Sequence, residues 1–125
     1  AYSAYGANSW PDGFLTASVN DVAKFATAIL ANDHAVITDE VKNLMFSPLV
    51  EEHLGQGIGY FWGLDNSYAS HEGSDPGVTT LLLLDRASRN ALIVLINADE
   101  NDNEKLNEFV EQLQVTAWHA IQAAN

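Results

Sequence analysis

The sequence predicts an α/β (α+β) domain in which an antiparallel sheet of three or four strands is sandwiched by helices. Residues 79–84 and 91–96 are largely apolar and read as two strands, and the six residues between them are too few for a crossover helix, so the two strands pair antiparallel. Both segments are apolar at successive positions, which indicates that both faces of the sheet are covered. Amphipathic patterns before and after them supply helices. We expect the C-terminal helix on one face and the helix after Ser18 beside it.

The first helix begins at a recognisable cap. Ser18 is followed three residues later by Asp21, as in a capping box. Apolar side chains then recur at helical spacing up to the polar pair Asn32-Asp33: Val22, Phe25, Ala26, Ile29 and Leu30. Residues 1–15, with four aromatic side chains among Gly, Asn, Ser and Pro, predict an ordered loop that packs on another part of the protein.

A second, short helix follows Thr38, with Val41, Leu44 and Met45 on one face and Pro48 closing it. Residues 49–56 read as a polar linker. Residues 57–64 and 68–72 read as strands separated by a turn at residues 65–67. From about Asn103 the chain is predicted to be helical to its end, with this apolar stripe: Leu106, Phe109, Val110, Leu113, Ala117, Trp118 and Ile121.

Composition narrows the classes of function. The chain has 125 residues, 17 of them acidic and 5 basic, for a formal net charge of -12. Such a chain repels polyanions, so we expect no nucleic-acid partner. No apolar run approaches the ~20 residues that span a bilayer. Cysteine is absent, which excludes disulfides and thiolate chemistry.

The most informative segment is His71-Glu72-Gly73-Ser74-Asp75-Pro76-Gly77, which stands directly before the apolar residues 78–84. A polar, glycine-containing turn directly before an apolar strand is typical of an active-site edge strand, where a backbone must approach a substrate closely. Two plainer interpretations stay open at this point: His71 as a half-exposed strand histidine, and Gly73 as a turn glycine.

The order of elements resembles the serine β-lactamase-like hydrolases of the penicillin-binding-protein superfamily, including class C β-lactamases and related esterases. His71-Glu72-Gly73 is similar to the third motif of that family in its His-x-Gly form. Residues 11–25 are similar to a family helix start, Gly57-Ile58-Gly59-Tyr60 to a strand, and residues 92–97 to the last strand. The resemblance covers nearly the whole chain.

The resemblance implies catalytic roles for three residues. His71 would polarise or orient the substrate, Gly73 would let it lie against the strand, and the amide of Ser74 would donate to the oxyanion. It also implies that these residues belong to an edge strand. The family's Ser-x-x-Lys nucleophile motif and its Tyr-x-Asn motif have no counterpart in this sequence. Residues 1–125 are therefore expected to form one partial domain, the C-terminal half of such a hydrolase.

The family mechanism is acylation of a serine by a small amide or ester substrate, followed by hydrolysis. Partners would be the N-terminal half of the same protein or a second copy of the chain, and a periplasmic or secreted bacterial location is implied. No cofactor is expected. Two alternatives remain: a non-catalytic interaction or cell-wall-associated domain that keeps the fold, and an independent small binding domain.

Other motifs favour plain interpretations. The run Gly55, Gly57 and Gly59 lacks the Lys-Ser/Thr of a phosphate loop. Residues 99–104 lack the glycine and the bidentate acid of a calcium loop, and are better explained as acids at a helix N-terminus. His34, His53 and His119 lack the spacing of metal ligands, so no metal site is expected. Trp62 and Trp118 are predicted to be core residues.

Overall fold

A computed structural model of the chain describes residue 13 and residues 15–31, 37–51, 56–98 and 104–123. Three helices and six strands follow one another along it. The helices are α1 (Val19–Leu30), α2 (Asp39–Met45) and α3 (Glu104–Ala123). The strands are β1 (Val50–Glu51), β2 (Gln56–Ile58), β3 (Gly63–Asp65), β4 (Tyr68–Asp75), β5 (Val78–Asp85) and β6 (Asn90–Ile96).

The strands form one antiparallel sheet in the order in which they occur in the chain, β1-β2-β3-β4-β5-β6. The predicted class, an α+β domain with an antiparallel sheet, is confirmed. The predicted strands 79–84 and 91–96 correspond to β5 and β6, which pair antiparallel from Asp85↔Asn90 to Thr79↔Ile96. The sheet has six strands rather than three or four, because the amino-terminal strands are only two or three residues long and carry little periodic signal.

The segment 57–64, predicted as one strand, is a hairpin of β2 and β3. The backbone reverses at residues 59–62, where the Gly59 amide donates to the Trp62 carbonyl at 2.9 Å and Phe61 adopts φ 66°. A non-glycine residue in that conformation is uncommon, so the sequence offered no turn signal. The linker prediction for residues 49–56 is also incomplete, since Val50–Glu51 pairs with β2.

The predicted helix caps are confirmed. The Asp21 amide donates to Ser18 Oγ at 3.2 Å, and that hydroxyl donates to Asp21 Oδ2 at 2.7 Å. The Val41 amide donates to Thr38 Oγ1 at 3.3 Å. Each hydroxyl satisfies an amide that has no partner within its helix.

The two long helices pack on opposite faces of the sheet. Ala26 and Ile29 of α1 share a core with Leu64, Ala69 and Leu84, which are cross-strand partners and therefore point to one face. Trp118 of α3 instead packs on Tyr68, at 5.2 Å between ring centroids. Tyr68 precedes Ala69 and so points to the other face. We name these the α1 face and the α3 face.

Helices on both faces agree with the apolar runs of β5 and β6. The prediction that the helix after Ser18 lies beside the C-terminal helix is wrong, because the sheet separates them. Within the described parts of the chain, no helix combines the length and apolar character needed to cross a bilayer.

Several predicted apolar stripes are only partly buried. On α3, Val110 is buried, whereas Phe109 is 57 % and Leu113 is 40 % exposed. Phe25 of α1 and Val41 and Leu44 of α2 are also exposed. Helical spacing identifies an apolar stripe, but the width of the stripe that is covered depends on how closely the neighbouring element approaches.

Candidate functional site

The candidate site lies on the second half of β4. Pairing of β4 with β3 covers Tyr68 to Ser70 only, whereas pairing with β5 continues to Asp75. Among the described residues, no strand lies beside residues 71–75 on the side away from β5, and all five are exposed. The predicted edge strand is therefore edge-like over this half alone; as a whole, β4 is an interior strand of the sheet.

His71 stands at the first position beyond the β3 pairing. It lies in register with Leu82 of β5, so its side chain belongs to the α1 face. The imidazole makes a T-shaped contact with the buried Trp62, with 6.3 Å between ring centroids and an interplanar angle of 79°. The residue as a whole is exposed. Trp62 thus forms a fixed wall on one side of the ring, while solvent reaches the other.

Gly73 is paired with Thr80 across the hairpin, and the hydroxyl of that threonine donates to the Gly73 carbonyl at 3.3 Å. A Cβ atom at position 73 would lie 2.8 Å from Thr80 Oγ1. Thr80 therefore supplies a local packing reason for a glycine at this position, separate from any approach of a substrate. Both reasons favour a small residue, and only a paired substitution distinguishes them.

Ser74 pairs with Thr79, next to the Asp75-Pro76-Gly77-Val78 turn. The pair that flanks a two-residue turn, here Asp75 and Val78, exchanges backbone hydrogen bonds, and the next pair, Ser74 and Thr79, does not. The Ser74 amide is therefore directed away from β5. Gly77 adopts φ 85°, a conformation that glycine favours, and forms with Pro76 the turn between β4 and β5. Opposite Ser74, Thr79 is buried and its hydroxyl donates to the Ala98 carbonyl at 3.0 Å.

A polar network fixes the far end of the β4–β5 hairpin. Burial raises the pKa of Asp85, but hydrogen bonds outweigh that effect and hold it below its ordinary value of 3.8. The Ser88 hydroxyl donates to Asp85 Oδ2 at 2.6 Å, and the Ala87 and Ser88 amides donate to Oδ1. Burial lowers the pKa of Arg86, whose guanidinium lies 5.0 Å from the Phe46 ring centroid and donates to Ser67 O and Asn66 O.

The arrangement offers a solvent-accessible imidazole, a strand without a bulky side chain at position 73, and an outward-directed amide at position 74. These groups can orient a carbonyl substrate and donate to developing negative charge. No Ser-x-x-Lys pair occurs anywhere in the sequence. The part of the chain that the structure describes contains no group of three side chains able to hold a metal ion.

No protein family, no curated protein sequence and no solved structure matches this chain.

The remaining predicted residues divide into three groups. Trp62 is buried, as predicted, and His119 lies exposed on α3. Trp118 is only half-buried and lines an open cleft on the α3 face, which helical periodicity could not distinguish from a core position. His34, His53, Gly55 and the acidic positions 99–103 lie outside the described residues, as does the loop of residues 1–15 except for Gly13 and Leu15.

Proposed function

We propose that this chain is part of a serine hydrolase of the β-lactamase-like type, acting on small amide or ester substrates through a serine acyl-enzyme. Residues 71–74 would form one wall of its active site. The observation that carries the proposal is the interrupted pairing of β4. Its pairing with β3 ends at Ser70, whereas residues 71–75 of β4 are exposed and remain paired with β5. A substrate lying along this half-strand would meet backbone groups that β3 does not occupy.

Each proposed role follows from position. His71 is held against Trp62 yet remains open to solvent, so it can orient a substrate or share a proton with it. Gly73 is the next residue of β4 that points to the α1 face, and it has no side chain to block a substrate there. The Ser74 amide supplies a preorganised donor for an oxyanion, since its direction is set by the Pro76-Gly77 turn.

In this proposal the nucleophile comes from another polypeptide segment, because the sequence contains no Ser-x-x-Lys pair. That segment would need to approach the exposed side of residues 71–75. A covalent intermediate on a serine divides a difficult hydrolysis into two easier steps, and the second half of β4 would stabilise the negative charge in both of them.

A non-catalytic interaction domain is the second candidate. Large apolar side chains remain exposed on α1, α2 and the first two strands, among them Phe25, Leu44, Val50 and Ile58. Exposed apolar side chains of this size can contact another protein segment. They would equally serve a hydrolase that needs its second half, so this observation supports association without specifying chemistry.

The test uses the protein encoded by the reading frame that contains this chain. We expect a fluorescent penicillin or an activated ester to acylate it at one serine outside these 125 residues. Peptide mapping by mass spectrometry identifies that serine. Absence of a Ser-x-x-Lys pair from the whole frame, together with absence of an adduct, would overturn the hydrolase and leave the interaction domain.

A further inference from the structure

A second concave site lies on the α3 face, away from His71. It is a cleft of about 470 Å³ between β2, β3, β4 and α3, within the size range of small-molecule sites. Ile58, Tyr68 and Trp118 are among the residues that line it. Ser70 contributes to its floor and directly precedes His71 in β4, so the two sites open on opposite faces of the sheet.

The cleft exists because a side chain is missing from one cross-strand row. Ile58, Gly63, Ser70 and Leu83 are successive partners across β2 to β5, and only Gly63 lacks a side chain. Among the described glycines only Gly77 has a positive φ, so the backbone at Gly63 does not require glycine. A Cβ atom there would lie 3.1 Å from Ser70 Oγ, inside the cleft.

The wall of the cleft is aromatic. The rings of Tyr68 and Trp118 meet edge to face, 5.2 Å apart at an angle of 77°. Both side chains are half-buried, so each keeps part of its surface towards the cleft. Aromatic rings that line a cleft can pack on an apolar group or attract a cation.

The charge of the cleft has one sign. Of the described residues that line it, Asp65 alone has an acidic side chain, and none is a lysine, an arginine or a histidine. The Asp65 carboxylate accepts a hydrogen bond from Asn66 Nδ2 at 2.9 Å and is exposed, so it retains acceptor capacity. The net charge of -12 adds a field that attracts cations.

We propose that this cleft is a binding site for small organic cations in which a protonated amine is joined to an aromatic or compact apolar group. The apolar group occupies the notch at Gly63 and packs on Tyr68 and Trp118. The ammonium group reaches the Asp65 carboxylate at the rim. This site goes beyond the proposed hydrolase function and does not depend on it.

Phenethylammonium is a suitable probe, and its titration into the ¹⁵N-labelled chain at pH 7 is the test. We expect saturable shifts confined to Gly63, Tyr68, Ser70 and the Trp118 indole N–H. Two analogues of the same shape, neutral 2-phenylethanol and anionic 3-phenylpropionate, should bind more weakly, with the anion weakest. Equal shifts by the anion, or shifts that rise linearly without saturation, would overturn the proposal.

Two variants test the two halves of the cleft separately. Asp65→Asn should weaken the binding of phenethylammonium roughly fivefold, which corresponds to the loss of an exposed ion pair. The affinity for 2-phenylethanol should not change. Gly63→Val should abolish saturable binding of both probes. Asp75→Asn, which removes the same charge from the other face, is the matched control and should bind as the wild type does.

If Gly63→Val loses the dispersed spectrum of a folded protein, Gly63→Ala replaces it and should weaken the binding of both probes. Undiminished binding by Asp65→Asn or by the folded Gly63 variant would refute the site.

Discussion

At the scale of single residues, His71 is the side chain whose role is most open to experiment. It is exposed, but its ring makes a T-shaped contact with a buried tryptophan. An exposed side chain contributes little to stability, whereas a catalytic one contributes strongly to rate. The two roles therefore predict different effects of the same substitution.

His71→Ala should lower turnover of an ester substrate by the full-length protein at least about tenfold, with the free energy of unfolding changed by less than about 0.5 kcal/mol. His119→Ala, an exposed histidine on α3, is the control and should change neither. Turnover comes from steady-state kinetics and stability from urea unfolding. If His71→Ala unfolds the protein and the residual folded fraction keeps its turnover, His71 is a core histidine.

Gly73 has two competing explanations, and a double substitution separates them. Gly73→Ala alone should destabilise the hairpin by about 1 kcal/mol, because its Cβ would lie 2.8 Å from Thr80 Oγ1. Thr80→Ala removes that contact, so adding Gly73→Ala in the Thr80→Ala background should cost little stability. Substrate turnover should still fall in the double variant if Gly73 admits the substrate. Turnover equal to that of Thr80→Ala alone would show that Thr80 fully accounts for the glycine.

Asp85→Ala should lower the free energy of unfolding by about 1–3 kcal/mol at pH 7, because two amides and a hydroxyl lose their acceptor. The folded pKa lies below the ordinary 3.8, so this stabilisation is present above pH 3.8 and is lost as the pH falls through the folded pKa. The difference between wild type and variant should thus be flat from pH 5 to 7 and shrink below pH 4. Asp65→Asn, an exposed control, should change stability little. A difference that grows on acidification would contradict the assignment.

At the scale of elements, β6 is the feature that most needs a partner. It ends the sheet, and among the described strands only β5 pairs with it. Alternate residues of β6 direct their amides away from β5, which makes an open template for another strand. Leu95 adds an apolar side chain that is 42 % exposed. Aggregation or association through this edge is the physical expectation for an uncovered apolar strand.

The isolated chain should therefore self-associate with rising concentration; in the longer protein of the proposal, another segment should cover this edge instead. Sedimentation velocity over about 10–300 μM measures the association. Leu95→Lys should shift the equilibrium towards monomer, because a charge on an edge strand disfavours pairing. Leu113→Lys is a close control, since Leu113 is 40 % exposed but lies on α3. A wild-type monomer at every concentration would contradict the prediction and favour an independent small domain.

At the scale of the whole molecule, the chain has one wall of a proposed acyl-transfer site and no nucleophile motif. The purified 125-residue chain should accordingly form no stoichiometric adduct with β-lactams or activated esters. Intact-mass spectrometry after prolonged incubation is the measurement, with a known acylating serine hydrolase as the positive control. A single acyl group on any serine of this chain would show that catalysis does not need another segment.

Local chemistry in the sequence determined the capped starts of α1 and α2, the β5–β6 hairpin, the turn at Gly77 and the antiparallel α+β class. A hydroxyl beside an unpaired helix amide, a glycine with positive φ and a six-residue connection each act over a few residues. Residue type and spacing along the sequence therefore predict such features directly.

Tertiary structure alone decided the rest. Three features depend on the register between segments that are distant in sequence. The pairing of β3 with β4 ends at Ser70, the sheet separates α1 from α3, and Gly63 lies in a cleft lined by Trp118. Residue types on one strand do not specify how far its neighbour extends, because register is set by side-chain packing across the whole sheet. For the same reason, the sequence could name His71, Gly73 and Ser74 as candidates, but only the folded sheet reveals which side of their strand is open.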